Sequence, residues 1–141
     1  MSRALVVAAH LALGVAGLAV VAAGGCAKPP TPGGVRLEQI SDAFSAAGLH
    51  ADGFAPSDPT TFRATKCVAG RVDNIDTVVC EYGSPDALAL GRKAGEQWAG
   101  SATTAAVLGN GRTLLAVADR AHSDPNGRTI HKITQAFSKT R

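Results

Sequence analysis

Cys67 and Cys80 are the residues whose spacing speaks most directly to chemistry in this chain. They stand in β-rich runs on either side of Asp73-Asn74, a pair that tolerates the left-handed backbone of a two-residue hairpin turn. With that turn, Val72 closes against Ile75, Arg71 falls opposite Asp76, Cys67 opposite Cys80 and Lys66 opposite Glu81. Counting outward from a hydrogen-bonded Val72–Ile75 pair puts the cysteines on a non-hydrogen-bonded position, where Cα atoms approach to about 4.5 Å. A disulfide accepts that distance, so the spacing predicts a structural staple.

Other chemistry finds little purchase. There is no C-x-x-C, and His122 and His131 lack the spacing of zinc ligands, so no metal is expected. The glycines form neither a P-loop nor a dinucleotide fingerprint, and no cofactor is implied. His122-Ser123-Asp124 contains the residue types of a triad, but sequence neighbours cannot adopt triad geometry. Asp52, Asp58, Asp73, Asp76 and Asp86 fall in turn or cap contexts where the backbone accounts for them. The expectation is a domain that is not an enzyme and has no catalytic residue.

The elements that must position the staple follow from the apolar period. Leu37, Ile40, Phe44 and Ala47 recur at helical spacing and stop at Gly48. A Pro-rich turn at Ala55-Pro56-Ser57-Asp58-Pro59 leads to the stapled hairpin over 62–72 and 75–82. Ser84-Pro85-Asp86 then carries a cap, a Pro at the first helical position and an acid in the first turn, for a helix to about Ala99. Runs over 103–108 and 113–119 flank Gly109-Asn110-Gly111-Arg112, a hairpin signal, and Asp124-Pro125 precedes a helix marked by Ile130, Ile133 and Phe137. The predicted class is α+β in the order α-ββ-α-ββ-α: an antiparallel four-stranded sheet with helices packed on one face, a two-layer sandwich.

Two surface features invite a functional reading. Ala87, Gly91, Gly95 and Ala99 recur at every fourth position and so form one ridge, and two interior glycines cost a helix about 1 kcal/mol each. Close approach to the sheet is one account, and a ridge on which a partner docks is the other. The last helix carries Arg128, Lys132 and Lys139 toward one side, which suits its dipole and solvation, or weak contact with anionic lipid headgroups.

At the other end of the chain, residues 4–23 are apolar apart from His10, behind Arg3, and run into Ala23-Gly24-Gly25-Cys26. Lys28-Pro29-Pro30-Thr31-Pro32-Gly33-Gly34 then fits neither helix nor strand and reads as a tether. This stretch resembles the signal peptide and attachment site of bacterial lipoproteins, departing from their pattern in lacking a Leu three residues before the cysteine. The resemblance implies export, removal of 1–25 and an acyl chain on Cys26. Ordinary cleavage near Ala23 or Gly25, or an uncleaved anchor, would use the same apolar run. If the cell has two membranes, Ala27 implies outer-membrane sorting facing the periplasm. Cysteine counting agrees, because three cysteines leave one over once Cys67 and Cys80 pair.

The organisation is therefore a signal peptide over 1–25, a lipidated Cys26 with its tether over 26–34, and one small domain over 35–141. The formal charge is +3, and only Arg3 of the 14 basic and none of the 11 acidic residues precedes Cys26. Basic residues are scattered and aromatics make up 4% of the chain, too few for stacking platforms, so nucleic acid is not an expected partner. The expected function is a lipid-anchored cell-envelope domain that binds another envelope component. The alternative is a small-ligand carrier with a pocket between sheet and helices.

Overall fold

The computed structural model describes residues 36–140; Cys26 and its tether lie outside them. The elements are α1 Leu37–Ala46, β1 Ala51–Ser57, β2 Lys66–Val72, β3 Ile75–Glu81, α2 Pro85–Ala99, β4 Ala105–Asn110, β5 Thr113–Ala118 and α3 Arg128–Ser138. The class is α+β, with one antiparallel five-stranded sheet in the order β1-β2-β3-β5-β4.

The stapled hairpin forms in the expected register. Asp73 and Asn74 have φ of 47° and 66°, both left-handed as a type I′ turn requires. β2 and β3 pair from Lys66 opposite Glu81 to Val72 opposite Ile75, with Cys67 opposite Cys80. Arg71 Nε lies 3.2 Å from Asp76 Oδ1. In the second hairpin β4 runs on to Asn110, which closes against Thr113, leaving Gly111 and Arg112 as the turn. Gly111 alone of these two has positive φ, 59°, the type II′ arrangement with Gly first.

Helix ends also follow local chemistry. Ser84 Oγ accepts the Ala87 amide at 3.2 Å ahead of Pro85. Gly48, at φ 71°, ends α1, and the Leu49 amide returns to the Phe44 carbonyl at 2.9 Å. α3 starts later than Asp124-Pro125 suggests. Asp124 instead reaches forward, its Oδ2 accepting the Ile130 amide at 2.9 Å.

Two expectations need correction. The sheet has a fifth strand, so the order is α-β-ββ-α-ββ-α and not α-ββ-α-ββ-α. β1 forms from Ala-Asp-Gly-Phe-Ala-Pro-Ser, and its Pro56 is tolerated because the strand lies at the sheet edge. Register shifts between Asp52 and Ala55, leaving Gly53 and Phe54 opposite Gly70. Gly53 has φ 65°, so this is a glycine-led bulge, and a Cβ on Gly70 would meet the Phe54 ring at 2.8 Å.

The helices also cover both faces, so the two-layer sandwich becomes three layers. Ile40 and Phe44 of α1 and Ile130, Ile133 and Phe137 of α3 share one core with Val72, Ile75, Val79, Leu115 and Val117. On the opposite face Phe62, Cys67, Val78, Cys80, Tyr82, Leu114 and Ala116 pack with Ala87, Leu88 and Trp98 of α2. The physical reason lies in β5, buried at all six positions. A strand that is apolar on both sides must be covered on both.

Candidate functional site

The staple is closed and dry. Cys67 and Cys80 form a disulfide with Cα atoms 4.2 Å apart, and they are 2% and 1% exposed. Buried in the cluster with Phe62, Val78 and Tyr82, the pair ties the two strands together and offers no thiolate to solvent.

The small-residue ridge is part of the same face, which corrects its reading as a docking surface. Gly91, Gly95 and Ala99 are the buried residues of α2, and Ala87 packs against the cluster beneath them. A Cβ on Gly91 would stand 2.1 Å from Tyr82 Oη, and one on Gly95 would stand 3.0 Å from Val107. The glycines therefore exist to let α2 settle onto Tyr82 and β4. Tyr82 Oη donates to the Phe62 carbonyl at 3.0 Å, and burial pushes its phenol up to about 12. The Phe62 ring meets Trp98 at a tilt, with centroids 5.9 Å apart, and the Arg120 guanidinium covers the Trp98 ring at 4.2 Å. Arg120 also donates to Asp76 at 3.2 Å, which fastens α2 to the hairpin.

The His122-Ser123-Asp124 stretch is a structural loop, organised by a residue that sequence reasoning passed over. Asp119, fully buried, accepts the Ser123 amide at 2.9 Å and hydroxyl at 3.1 Å, and the Asp124 amide at 2.8 Å. Burial pushes the Asp119 carboxyl up, but these donors and the nearby His122 outweigh it and hold the group below its usual range. His122 Nδ1 is hydrogen-bonded to Thr103 Oγ1. The Ser123 hydroxyl is bonded to Asp119, His122 Nδ1 to Thr103 and Asp124 Oδ2 to the Ile130 amide, so all three side chains of the stretch take part in holding the loop. Among the described residues no group of His, Cys, Asp and Glu is arranged to hold a metal ion.

Among the described residues the hollows open to solvent are shallow; one of about 380 Å³ lies over Asp52, Gly53, Gly70 and Arg71 at the bulged sheet edge, and two flank α1. Between α1 and β1 a cleft of about 360 Å³ is lined by Leu37, Ile40, Phe44, Ala51 and Phe54, with Glu38, Ser41 and Asp42 beside them. On the other side of α1, a groove of about 420 Å³ is lined by Ala43, Ala46, Ala47 and Ala136, with Lys132, Gln135 and Lys139. Helix α1 thus separates an acid-flanked cleft from a lysine-flanked groove. Among the described residues the exposed large hydrophobic is Leu90, at 58%. It stands singly and makes no patch of the kind that marks an interface.

The α1–β1 cleft carries no signal in local sequence, because α1 becomes one of its walls only when Ala51 and Phe54 of β1 close the other. No family model matches the chain, and neither the curated proteins nor the solved structures compared with it give a match.

Proposed function

We propose that the protein is an exported lipoprotein of the cell envelope, anchored through an acyl chain on Cys26, whose small domain works by binding and not by catalysis. The cysteine inventory carries this reading. Of three cysteines, two are consumed in a buried disulfide, a bond that persists in oxidising compartments outside the cytoplasm. The one left over is the cysteine whose surroundings resemble an acylation site. The non-catalytic side of the reading is supported by the loop around Asp119, where Asp119 and Asp124 accept backbone amides and the Ser123 hydroxyl is bonded to Asp119. Changing Cys26→Ser should abolish labelling by a fatty-acid analogue and leave unprocessed precursor; undiminished labelling refutes the anchor. In-cell crosslinking followed by co-purification identifies the envelope partner.

A second reading, a carrier of a small ligand, is favoured by the α1–β1 cleft. Its volume of about 360 Å³ and apolar floor fall within the range of small-molecule sites. The two carboxylates beside it favour a ligand that is apolar with a cationic end. Filling the cleft by Ser41→Trp should remove a thermal shift given by such a ligand and leave the unliganded melting temperature nearly unchanged. A shift that survives the substitution places the ligand elsewhere.

A further inference from the structure

The two edges of the sheet are built differently. β1, at one edge, is blunted twice, by the bulge at Gly53-Phe54 and by Pro56. Pro56 pairs with Val68, and the alternation of the ladder turns its missing N–H outward, so the free edge lacks a donor there. Such devices stop an edge from recruiting another strand. β4, at the other edge, is Ala-Ala-Val-Leu-Gly-Asn, with no charge, no proline and an unbroken register along β5.

The direction of its backbone groups follows from bonds at both ends of the central strands. The Asp119 amide donates to the Thr104 carbonyl at 2.8 Å, and the Tyr82 amide donates to the Arg112 carbonyl at 2.8 Å. In an antiparallel ladder alternate residues turn both polar groups to the same neighbour. Thr104, Ala106, Leu108 and Asn110 therefore face β5, and Ala105, Val107 and Gly109 turn their N–H and C=O groups outward. No described strand lies beyond them. α2 and α3 contact β4 from the two faces, and among the described residues no strand or helix lies along its outer edge.

We infer that this edge pairs with the β4 edge of a second copy of the chain, joining two five-stranded sheets into one continuous antiparallel sheet. The outward groups form a self-complementary set. A two-fold axis at Val107 sets Val107 opposite its counterpart and Ala105 opposite the partner copy's Gly109, so that all three outward donors and all three acceptors of each copy are used. A closed two-fold contact of this kind ends the assembly at two, since the β1 edges stay blunted. Side chains raise no objection: the strand carries no charge to meet itself, and Ala105 and Gly109 are small. An extended segment of a different protein would use the same groups but would gain nothing from this symmetry.

The inference is independent of the lipid anchor and is tested on the full chain, held in a mild detergent that keeps it dispersed. Sedimentation equilibrium should give a monomer–dimer equilibrium, and Ala105→Pro should weaken it by about ten-fold or more, because each copy loses one outward donor while the ladder to β5 keeps all of its bonds. Under mild oxidation Val107→Cys should give a disulfide-linked dimer, its Cα atoms standing at about 5.5 Å in a hydrogen-bonded pair. Ala105→Cys, facing Gly109 of the second copy, should not. A chain that stays monomeric, a dimer indifferent to Ala105→Pro, or equal crosslinking from both cysteine variants overturns the inference. So does a monomer that captures an extended peptide along β4.

Discussion

Gly91 and Gly95 show how the same substitution on one helix face has opposite consequences. Alanine is the better helix former by about 1 kcal/mol, so Gly→Ala should stabilise unless the new methyl has nowhere to go. At Gly91 it would stand 2.1 Å from the Tyr82 hydroxyl and 2.3 Å from its ring, and that ring is pinned by its bond to the Phe62 carbonyl. Gly91→Ala is expected to lose about 1–3 kcal/mol by overpacking. At Gly95 the nearest atom is a Val107 methyl at 3.0 Å on an edge strand that can yield, so Gly95→Ala should fall within about 1 kcal/mol of the native protein. Urea unfolding of the two variants side by side decides the matter.

Tyr82 offers a second measurement at the same scale, made clean by its being the single tyrosine. Its phenol is raised to about 12 from an ordinary 10.0, by burial. The folded value lies above the unfolded one, so its contribution to stability is fully present below pH 10 and is lost as pH rises through about 12. Phenolate absorbance should stay flat through the ordinary tyrosine range and then rise together with unfolding. A simple titration centred near the ordinary value, with the fold intact, would show that the ring is not buried beneath α2.

Among the elements, the β2–β3 hairpin is where local chemistry speaks most clearly. The Cys67–Cys80 bridge spans 13 residues, and restricting so short a loop contributes about 3 kcal/mol by chain entropy. Replacing both cysteines with alanine should lower stability by about that amount, read from denaturant unfolding as a lower midpoint. An unchanged midpoint would mean that β2 and β3 hold their pairing without the bridge.

This hairpin was legible because its turn, its charge pairs and its cysteines agree on one register within a short stretch of chain. β1 was not. Gly53 and Pro56 read locally as breakers, and they become tolerable only at an edge, where a bulge and a missing donor cost no ladder bond. The burial of α2's ridge was equally undecided in sequence, since small residues at every fourth position suit a sheet beneath them as well as a partner above. Tyr82 and Val107, distant in the chain from those glycines, settle which. A usable signal did exist for the third layer: Leu114-Leu115-Ala116-Val117-Ala118 shows no alternation, the mark of a strand covered on both faces.

For the whole molecule, the proposal of a lipid-anchored binding domain stands on three cysteines sorted into a bridge and a remainder, and the Cys26→Ser labelling experiment is its decisive check. The amino-acid sequence by itself determined what depends on near neighbours: the left-handed turn at Asp73-Asn74, the Ser84 cap, the stop at Gly48, the pairing of Cys67 with Cys80 and the α+β class. These rest on backbone conformations and hydrogen bonds that close within a few residues. Only the tertiary structure decided the rest: which segment completes the sheet edge, which helix covers which face, why Asp119 is buried, and that an acid-flanked cleft opens beside α1. Each of those depends on surfaces brought together from distant parts of the chain, where packing and desolvation outweigh local preference and leave no fixed spacing in the sequence.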